Sequence, residues 1–298
     1  MTLNDVRIED TFAEAFGMTA TRVIITALEP TWARHAAASM TGFATSVIGC
    51  GVEAGIEREL TPDETPDGRP GLAVLLFATS GETLEKQLEK RIGQCVLTCP
   101  TTAVFAGLDS DKPIRLGRNL RYFGDGFQIS KRIGDRRYWR VPVMDGEFLI
   151  EEGAARTRAV GGGNFLLLAD SPRAALAAAE AAVAAIAPLP EVITPFPGGV
   201  VRSGSKVGSK YQSLIASTND AYCPTLVGLT DTALPEGVTA VLEVVIDGLT
   251  EAAVAAAMRS GIRAACELGP GGGLRAVTAG NYGGKLGPHH FHLRELLA

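Results

Sequence analysis

The feature that most constrains the fold is one structural plan that occurs four times: a short apolar run rich in β-branched residues, a helix-start signal, and an alanine- or leucine-rich stretch. The four copies occupy residues 22–40, 72–92, 164–186 and 241–266. Two starts are explicit, because Ser171 stands directly before a proline and Thr250 directly before an acidic residue, as expected of capping hydroxyls. Each copy therefore predicts a strand followed by a helix.

Further apolar stretches follow three of these helices and predict return strands, which would complete βαβ units, at residues 44–50, 95–101 and 274–280. Two such units in each half predict an α+β protein with two ferredoxin-like lobes of the split βαβ type, whose sheets contain antiparallel strands and carry helices on one face. Residues 123–148 are rich in glycine and charge, which indicates hairpin turns near a boundary. We expect an N-terminal ferredoxin-like lobe over residues 1–150 and a C-terminal one over 151–298.

Composition and charge exclude several classes of function. The 298 residues include 28 basic and 33 acidic ones, a net charge of −5, and no basic run, so nucleic acid is not an expected partner. Residues 1–10 are polar and acidic, unlike a secretory signal or a transit peptide, and the apolar residues 174–187 are too short to cross a bilayer. Five cysteines form an odd set, so we expect reduced thiols in a cytoplasmic protein without membrane contact.

Nucleotide and metal sites are not predicted either. The Gly-, Ser- and Lys-rich residues 202–210 lack the spacing of a phosphate-binding loop, and residues 159–168 lack the third glycine of a dinucleotide fingerprint, so their glycines indicate a tight turn before a strand. Cys95 and Cys99 have no second pair of ligands, and the histidines within residues 289–292 have no carboxylate or cysteine at ligand spacing. We expect no bound metal.

One carboxylate stands out because of its setting. In residues 240–248, strand alternation places Glu243 with valines on one face and more aliphatic residues on the other. If the side chain is buried, its pKa rises, as a general acid near neutral pH requires. A ferredoxin-like sheet also leaves one face open, however, so the same pattern fits a Glu243 that faces water.

Two loops combine small residues with amide and lysine side chains, at residues 202–225 and 278–287. Such loops can approach a polar ligand closely, with Ser and Asn forming hydrogen bonds and Lys pairing with a carboxylate or phosphate. A solvated surface turn explains each equally well. Tyr222 and a cysteine next to proline favour an ordered wall for the first loop.

Several glycine- and proline-punctuated blocks give the chain a family resemblance over nearly its full length. The blocks lie at residues 8–16, 53–56, 64–71, 91–96, 123–126, 162–165, 195–199, 205–210, 217–225 and 283–287. With them the sequence closely resembles the formylmethanofuran:tetrahydromethanopterin formyltransferases. The resemblance implies two joined α+β lobes, a homo-oligomer (dimer or tetramer), and formyl transfer between the C1 carriers methanofuran and tetrahydromethanopterin.

The resemblance also assigns roles. It implies no metal and no covalently bound cofactor, and Glu243 matches the strand glutamate to which that family's key catalytic role is assigned. We hypothesise that protonated Glu243 serves the oxyanion of a tetrahedral intermediate while the two loops hold the carriers. The predicted substrate-binding residues are Ser205, Lys206, Ser209, Lys210, Asn219, Asp220, Tyr222 and Asn281.

Many archaeal proteins that this chain resembles are strongly acidic, whereas this chain is only mildly acidic. The difference favours a bacterial setting. There the reaction would form formylmethanofuran during C1 oxidation to formate, with a formylmethanofuran hydrolase as a further partner. The alternative is a ferredoxin-like binding or scaffolding subunit of a C1-carrier complex that has lost its chemistry. An intact Glu243 and site-like loops favour the enzyme.

Overall fold

The computed structural model describes residues 1–204 and 206–298 of the chain. The strands are β1 Thr2–Leu3, β2 Val6–Ile8, β3 Phe12–Thr26, β4 Glu53–Leu60, β5 Gly71–Ala78, β6 Ala103–Ala106, β7 Pro113–Ile114, β8 Ile129–Ile133, β9 Arg136–Val143, β10 Gly146–Glu151, β11 Ala154–Ala155, β12 Thr157–Ala169, β13 Val192–Ile193, β14 Lys206–Val207, β15 Ala216–Ser217, β16 Ala240–Gly248, β17 Leu274–Thr278 and β18 His289–His292. The helices are α1 Pro30–Thr41, α2 Val47–Cys50, α3 Gly81–Arg91, α4 Leu116–Leu120, α5 Pro172–Ile186, α6 Glu251–Cys266 and α7 Leu293–Leu297.

The chain forms two compact units, one of Met18–Ala159 and one that joins Met1–Gly17 to Val160–Ala298. The first residues belong with the C-terminal half because β2 pairs in parallel with β17, and because β18 pairs antiparallel with the beginning of β3. The lobes predicted at residues 1–150 and 151–298 stay a prediction. The compact units agree with them in number, but they place residues 1–17 with the C-terminal half and residues 151–159 with the N-terminal half.

The unit Met18–Ala159 contains four strands in the spatial order β6-β3-β5-β4, with every neighbouring pair antiparallel. In chain order this is the 4-1-3-2 arrangement of a split βαβ fold, with α1 and α3 as the two crossovers. Buried Met40 and Leu88 of these helices pack in one core with Val74 of β5. A meander of β10, β9 and β8 extends the sheet from β6.

The second unit repeats the arrangement with the order β17-β12-β16-β13, again antiparallel throughout. Helices α5 and α6 are the crossovers and pack on one face, where Phe165 and Val244 are fully buried with residues of both helices. The predicted α+β class with ferredoxin-like lobes is confirmed. The capping prediction is confirmed too, since Ser171 and Thr250 accept hydrogen bonds from the first turns of α5 and α6. In the described part of the chain, no helix has the length and apolarity that a membrane crossing requires.

Two of the three predicted return strands are wrong. Within residues 44–50, Ser46 caps the short helix α2, which ends at Gly51 in the left-handed conformation, so the strand starts only at β4. Within residues 95–101, α3 continues into the wider helical turn Ile92–Val96, and the strand begins after Pro100, at β6. The third return strand, within residues 274–280, is confirmed as β17.

Candidate functional site

Glu243 lies in β16 on the sheet face that does not carry the helices. Its backbone is held from both sides: Leu166 of β12 lies opposite it, and Val201 exchanges two hydrogen bonds with it, N–H to O, at 2.7 and 2.9 Å. On this face a smaller apolar cluster forms, in which Tyr222 packs with Leu166 and Val241. The alternation predicted for the strand is confirmed, and the face is covered by the chain that leads into β16.

The Glu243 side chain faces two small cavities in this unit. The larger, of about 100 Å³, is lined by Glu14, Phe16, Gly162, Asn164, Leu166, Asn219, Glu243, Val245, Gly280, Asn281 and Tyr282. The smaller, of about 30 Å³, is lined by Leu166, Val201, Arg202, Ser203, Gly204, Asn219, Tyr222, Cys223, Val241, Leu242 and Glu243. Asn219 and Glu243 line both, so the predicted catalytic carboxyl group lies between two small recesses rather than on an open sheet face.

Burial raises the pKa of Glu243 from 4.5 to about 7. The described residues place no hydrogen-bond donor on its carboxyl group that would favour the charged form. Near neutral pH the group is therefore divided between its acid and its carboxylate. Such a group can give a proton to a reacting atom and take one back.

A second carboxylate in the larger cavity behaves in the opposite way. Glu14 of β3 is 1% exposed. Burial alone would raise its pKa, but hydrogen bonds from the backbone of Gly287, Tyr282, Leu286 and Gly284 lower it from 4.5 to about 2. One cavity thus holds a carboxylate that stays charged beside one whose acid form persists up to about pH 7, a separation of roles typical of catalytic carboxylate pairs.

Asn164 supports the same cavity from β12. Its side-chain amide oxygen accepts a hydrogen bond from Gly280 N at 2.6 Å, and its Nδ2 donates to Gly280 O at 3.2 Å. Gly162 forms a bulge in β12, with φ of 85°, and its N–H donates to the buried Asp247 at 3.0 Å. The prediction of a tight turn before the strand is wrong here, because these glycines lie within β12.

The sequence interpretation missed Glu14 and Asn164. Both stand inside blocks that carry the family resemblance, at residues 8–16 and 162–165, and that was the available signal. Little in the local sequence marks them, because their partners in residues 280–287 lie between 116 and 273 positions away along the chain.

Among the predicted substrate-binding residues, three line a cavity with Glu243: Asn219, Asn281 and Tyr222. No hydrogen bond commits the Asn219 side-chain amide within the described residues. The Asn281 amide, by contrast, donates to Thr11 Oγ1 and Phe12 O and accepts from Gly283 N, so it fixes its own loop.

The other predicted residues of the first loop that the structure describes do not line these cavities. Lys206 Nζ lies 2.7 Å from Asp220 Oδ1, an ion pair that ties β14 to the turn containing Tyr222. Ser209 accepts a hydrogen bond from Tyr211 N at 3.1 Å, and Lys210 is exposed. Ser205 lies outside the described residues.

The C-terminal histidines are engaged in local contacts. His289 Nδ1 is 3.0 Å from a Glu251 carboxylate oxygen, and His290 Nε2 is 3.1 Å from Gly287 O. Across residues 1–204 and 206–298, no three His, Cys, Asp or Glu side chains come together as a set of metal ligands.

Comparison with known proteins finds similar sequences over nearly the whole chain. Family models match it twice: formylmethanofuran-tetrahydromethanopterin formyltransferase at residues 1–143, and the proximal lobe of the same family at 146–296. A formylmethanofuran--tetrahydromethanopterin formyltransferase of Methylobacillus flagellatus is 66% identical over 100% of both chains. One subunit of a formyltransferase/hydrolase complex of Methylorubrum extorquens is 59% identical over 99% of this chain and 97% of that one.

Solved structures agree with the family models. The crystal structure of the formyltransferase/hydrolase complex of Methylorubrum extorquens, in complex with methylofuran, contains a chain with a TM-score of 0.98 and 58% identity, covering 100% of this chain and 99% of that one. The structure of a formylmethanofuran:tetrahydromethanopterin formyltransferase from Methanosarcina barkeri gives a TM-score of 0.93 at 50% identity. The match covers 99% of this chain and 100% of that one. The chain therefore belongs to the formylmethanofuran-tetrahydromethanopterin formyltransferase family.

Proposed function

We propose that the protein transfers a formyl group between N5 of tetrahydromethanopterin and the amine of methanofuran while both carriers are bound. The names of its relatives support the reaction, since proteins 66% identical over the whole chain are formyltransferases for these carriers. The observation that supports the mechanism is the Glu243 carboxyl group, which faces a small cavity and has a pKa near 7.

The proposed chemistry needs one acid and one hydrogen-bond donor. The neutral methanofuran amine attacks the formyl carbon, a C–N bond forms, and the carbonyl oxygen becomes an oxyanion. Protonated Glu243 donates to that oxygen. The Glu243 carboxylate then takes up the proton that the attacking nitrogen releases, which returns it to its acid form. As the C–N5 bond breaks, the C=O bond re-forms and its oxygen passes the proton that it received to N5, so that no proton is gained or lost. Asn219 is the second donor, because it lines both cavities and its side-chain amide makes no hydrogen bond to another described residue.

The loops hold the carriers in this proposal. Residues 278–287 form a wall of the larger cavity through Gly280, Asn281 and Tyr282. Tyr222 lines the smaller cavity. Lys206 with Asp220 stabilises the wall beside Tyr222, and Ser205, Ser209 and Lys210 meet the polar part of a carrier.

The partners and the direction form a finer part of the proposal. One relative is a subunit of a formyltransferase/hydrolase complex, and this chain is 59% identical to it over nearly its full length. We infer that the protein forms a homo-oligomer in the cytoplasm, associates with a hydrolase, and supplies formylmethanofuran for hydrolysis to formate. Purification from its source should then yield a larger assembly with formylmethanofuran hydrolase activity. Recovery of a lone monomer would contradict this part.

The decisive assay uses the purified protein with formyl-tetrahydromethanopterin and methanofuran. We expect formylmethanofuran to appear in proportion to enzyme, with the reverse reaction measurable from formylmethanofuran. If either carrier binds but no formyl group moves in either direction, the scaffolding alternative replaces the enzyme.

The reaction should depend on pH through Glu243. Burial raises its pKa in the folded protein to about 7, so the acid form persists between pH 4.5 and 7, where a free glutamate is already ionised. Turnover limited by this acid should be constant below about pH 7 and fall about tenfold per pH unit above it. Measurements of kcat across pH 5.5–9 (about half-unit steps) test this, and a kcat profile that is flat through pH 8 would contradict it.

Lysines of the first loop should act on binding. Lys210→Ala should raise the KM of the carrier with the acidic tail several-fold and leave kcat unchanged, since an exposed charge contact is worth at most about 1 kcal/mol. Lys206→Ala should act in the same direction, because it releases Asp220. Lys131→Ala on the exposed strand β8 is the control. Unchanged KM values for both carriers in both variants would return the loop to the surface-turn interpretation.

A further inference from the structure

Glu14 organises the loop that follows β17. One carboxylate oxygen accepts N–H bonds from Tyr282 at 2.6 Å and Gly284 at 2.8 Å, and the other accepts from Leu286 at 2.6 Å and Gly287 at 2.7 Å. Four amide groups within six residues thus converge on one side chain. Charge-assisted bonds of this kind are among the strongest that a buried group makes.

A charge on Glu14 is costly because the side chain is buried. A buried carboxylate is stabilised only when hydrogen bonds or a cation replace its water. Among the described residues no lysine, arginine or histidine pairs with Glu14, so the loop amides carry the whole compensation. Because its pKa is about 2, Glu14 stays charged across the whole pH range proposed for the kcat measurements.

The same loop forms one wall of the cavity that Glu243 faces. Gly280, Asn281 and Tyr282 line that cavity with Glu14 itself. Glu14 also holds the near end of the wall through its backbone, because its N–H donates to Gly280 O at 3.1 Å. The Tyr282 ring lies 6.0 Å from that of Phe16, another lining residue.

We propose that Glu14 is a positioning residue for formyl transfer: its carboxylate holds residues 280–287 as a wall that keeps water away from Glu243 and so keeps Glu243 an acid. This inference rests on the proposed function. The titratable or charged groups that line the two cavities with Glu243 are Glu14, Tyr282, Arg202, Tyr222 and Cys223. Of these, Glu14 accepts four hydrogen bonds from the backbone of the wall.

Glu14→Gln tests the proposal with little change of shape. A glutamine offers one acceptor oxygen, and its NH2 group meets two of the N–H donors, so part of the wall must move away. A shift of about 1 Å at a reacting group costs about a hundredfold, so we expect kcat/KM to fall by about that factor. Water then reaches Glu243 and lowers its pKa towards 4.5, the ordinary value for a glutamate. The limb of the kcat profile, meaning the pH at which kcat begins to fall, should therefore move from about 7 towards 4.5.

Two variants separate positioning from stability. Glu14→Asp keeps the charge on a shorter arm, so it should retain more activity than Glu14→Gln and move the limb less. Glu57→Gln removes another buried carboxylate, bound to Arg22 at 2.6 Å in the unit Met18–Ala159. It should lower the melting temperature but leave the limb near pH 7.

Should Glu14→Gln fail to fold, Gly287→Ala decides. A Cβ at Gly287 would come within 2.3 Å of Ala15 O, so its N–H must leave the Glu14 carboxylate, whereas Gly271→Ala meets open space and serves as control. The proposal is overturned if either wall variant stays within about twofold of wild type, or loses activity with the limb unmoved. The wild-type protein is assayed beside these variants. If the wild type is inactive, the proposed function is refuted. If the wild type is active and the Glu14 variants behave like it, only the inference about Glu14 is refuted.

Discussion

Glu243→Gln is expected to lower kcat for formyl transfer by a hundredfold or more, while the KM values for both carriers stay within about twofold of wild type. The substitution keeps the shape of the side chain and removes the only proton that it can give. A hundredfold loss corresponds to about 2.7 kcal/mol of transition-state stabilisation, a usual value for one acid or oxyanion donor. Steady-state kinetics with each carrier varied in turn measure both constants.

The same variant should lose the pH dependence assigned to this group. The amide does not titrate, so the residual rate should no longer fall above pH 7, where burial places the pKa of Glu243. Glu236→Gln, which changes an exposed carboxylate in the loop before β16, is the matched control and should behave as wild type. Near-normal turnover of Glu243→Gln would remove this residue from the mechanism.

Asn219→Ala is expected to lower kcat by about a hundredfold. Its amide lines both cavities together with Glu243 and has no hydrogen bond to another described residue, so truncation removes a donor without breaking the loop. Loss of one preorganised oxyanion donor costs about 10²–10³-fold, and we expect the lower part of that range because Glu243 serves the same oxygen.

Thr218→Ala controls for disturbance of this loop. Thr218 precedes Asn219, and its hydroxyl donates to Ser203 O at 3.1 Å, so this variant perturbs the same loop while every side chain that lines the two cavities is kept. It should leave kcat unchanged. An Asn219→Ala enzyme in which only KM rises would assign this residue to carrier binding instead of the chemical step.

The parts of the site that follow from strand periodicity could be predicted from the sequence. Alternation in residues 240–248 places Glu243 away from Val244, and the structure buries Val244 under the helices while Glu243 faces the cavities. The starts of the helices could also be predicted from the sequence, because a capping hydroxyl binds a backbone N–H only three residues further on. Ser171, for example, accepts a hydrogen bond from Ala174 N.

The rest depends on contacts that the sequence does not encode locally. Glu14 looks like any strand glutamate, since its donors are backbone amides 268 to 273 positions away, and amides leave no compositional signal. In the sequence, Lys206 has no nearby acidic residue and is predicted to bind a ligand, but in the fold it forms an ion pair with Asp220. The strand predicted at residues 44–50 does not form, because Ser46 caps a short helix there and the apolar run is too short to favour a strand instead.

The pairing of β2 with β17 and of β18 with β3 sets an order for biosynthesis. The ribosome releases Met1–Gly17 long before its partners in Val160–Ala298 exist, whereas Met18–Ala159 has all of its own strands once it emerges. The internal segment can therefore close first, and the strands within Met1–Gly17 wait, unpaired, until Val160–Ala298 has been made. The two carboxylates of the larger cavity meet only then, so the nascent protein acquires its chemistry after its internal unit has folded.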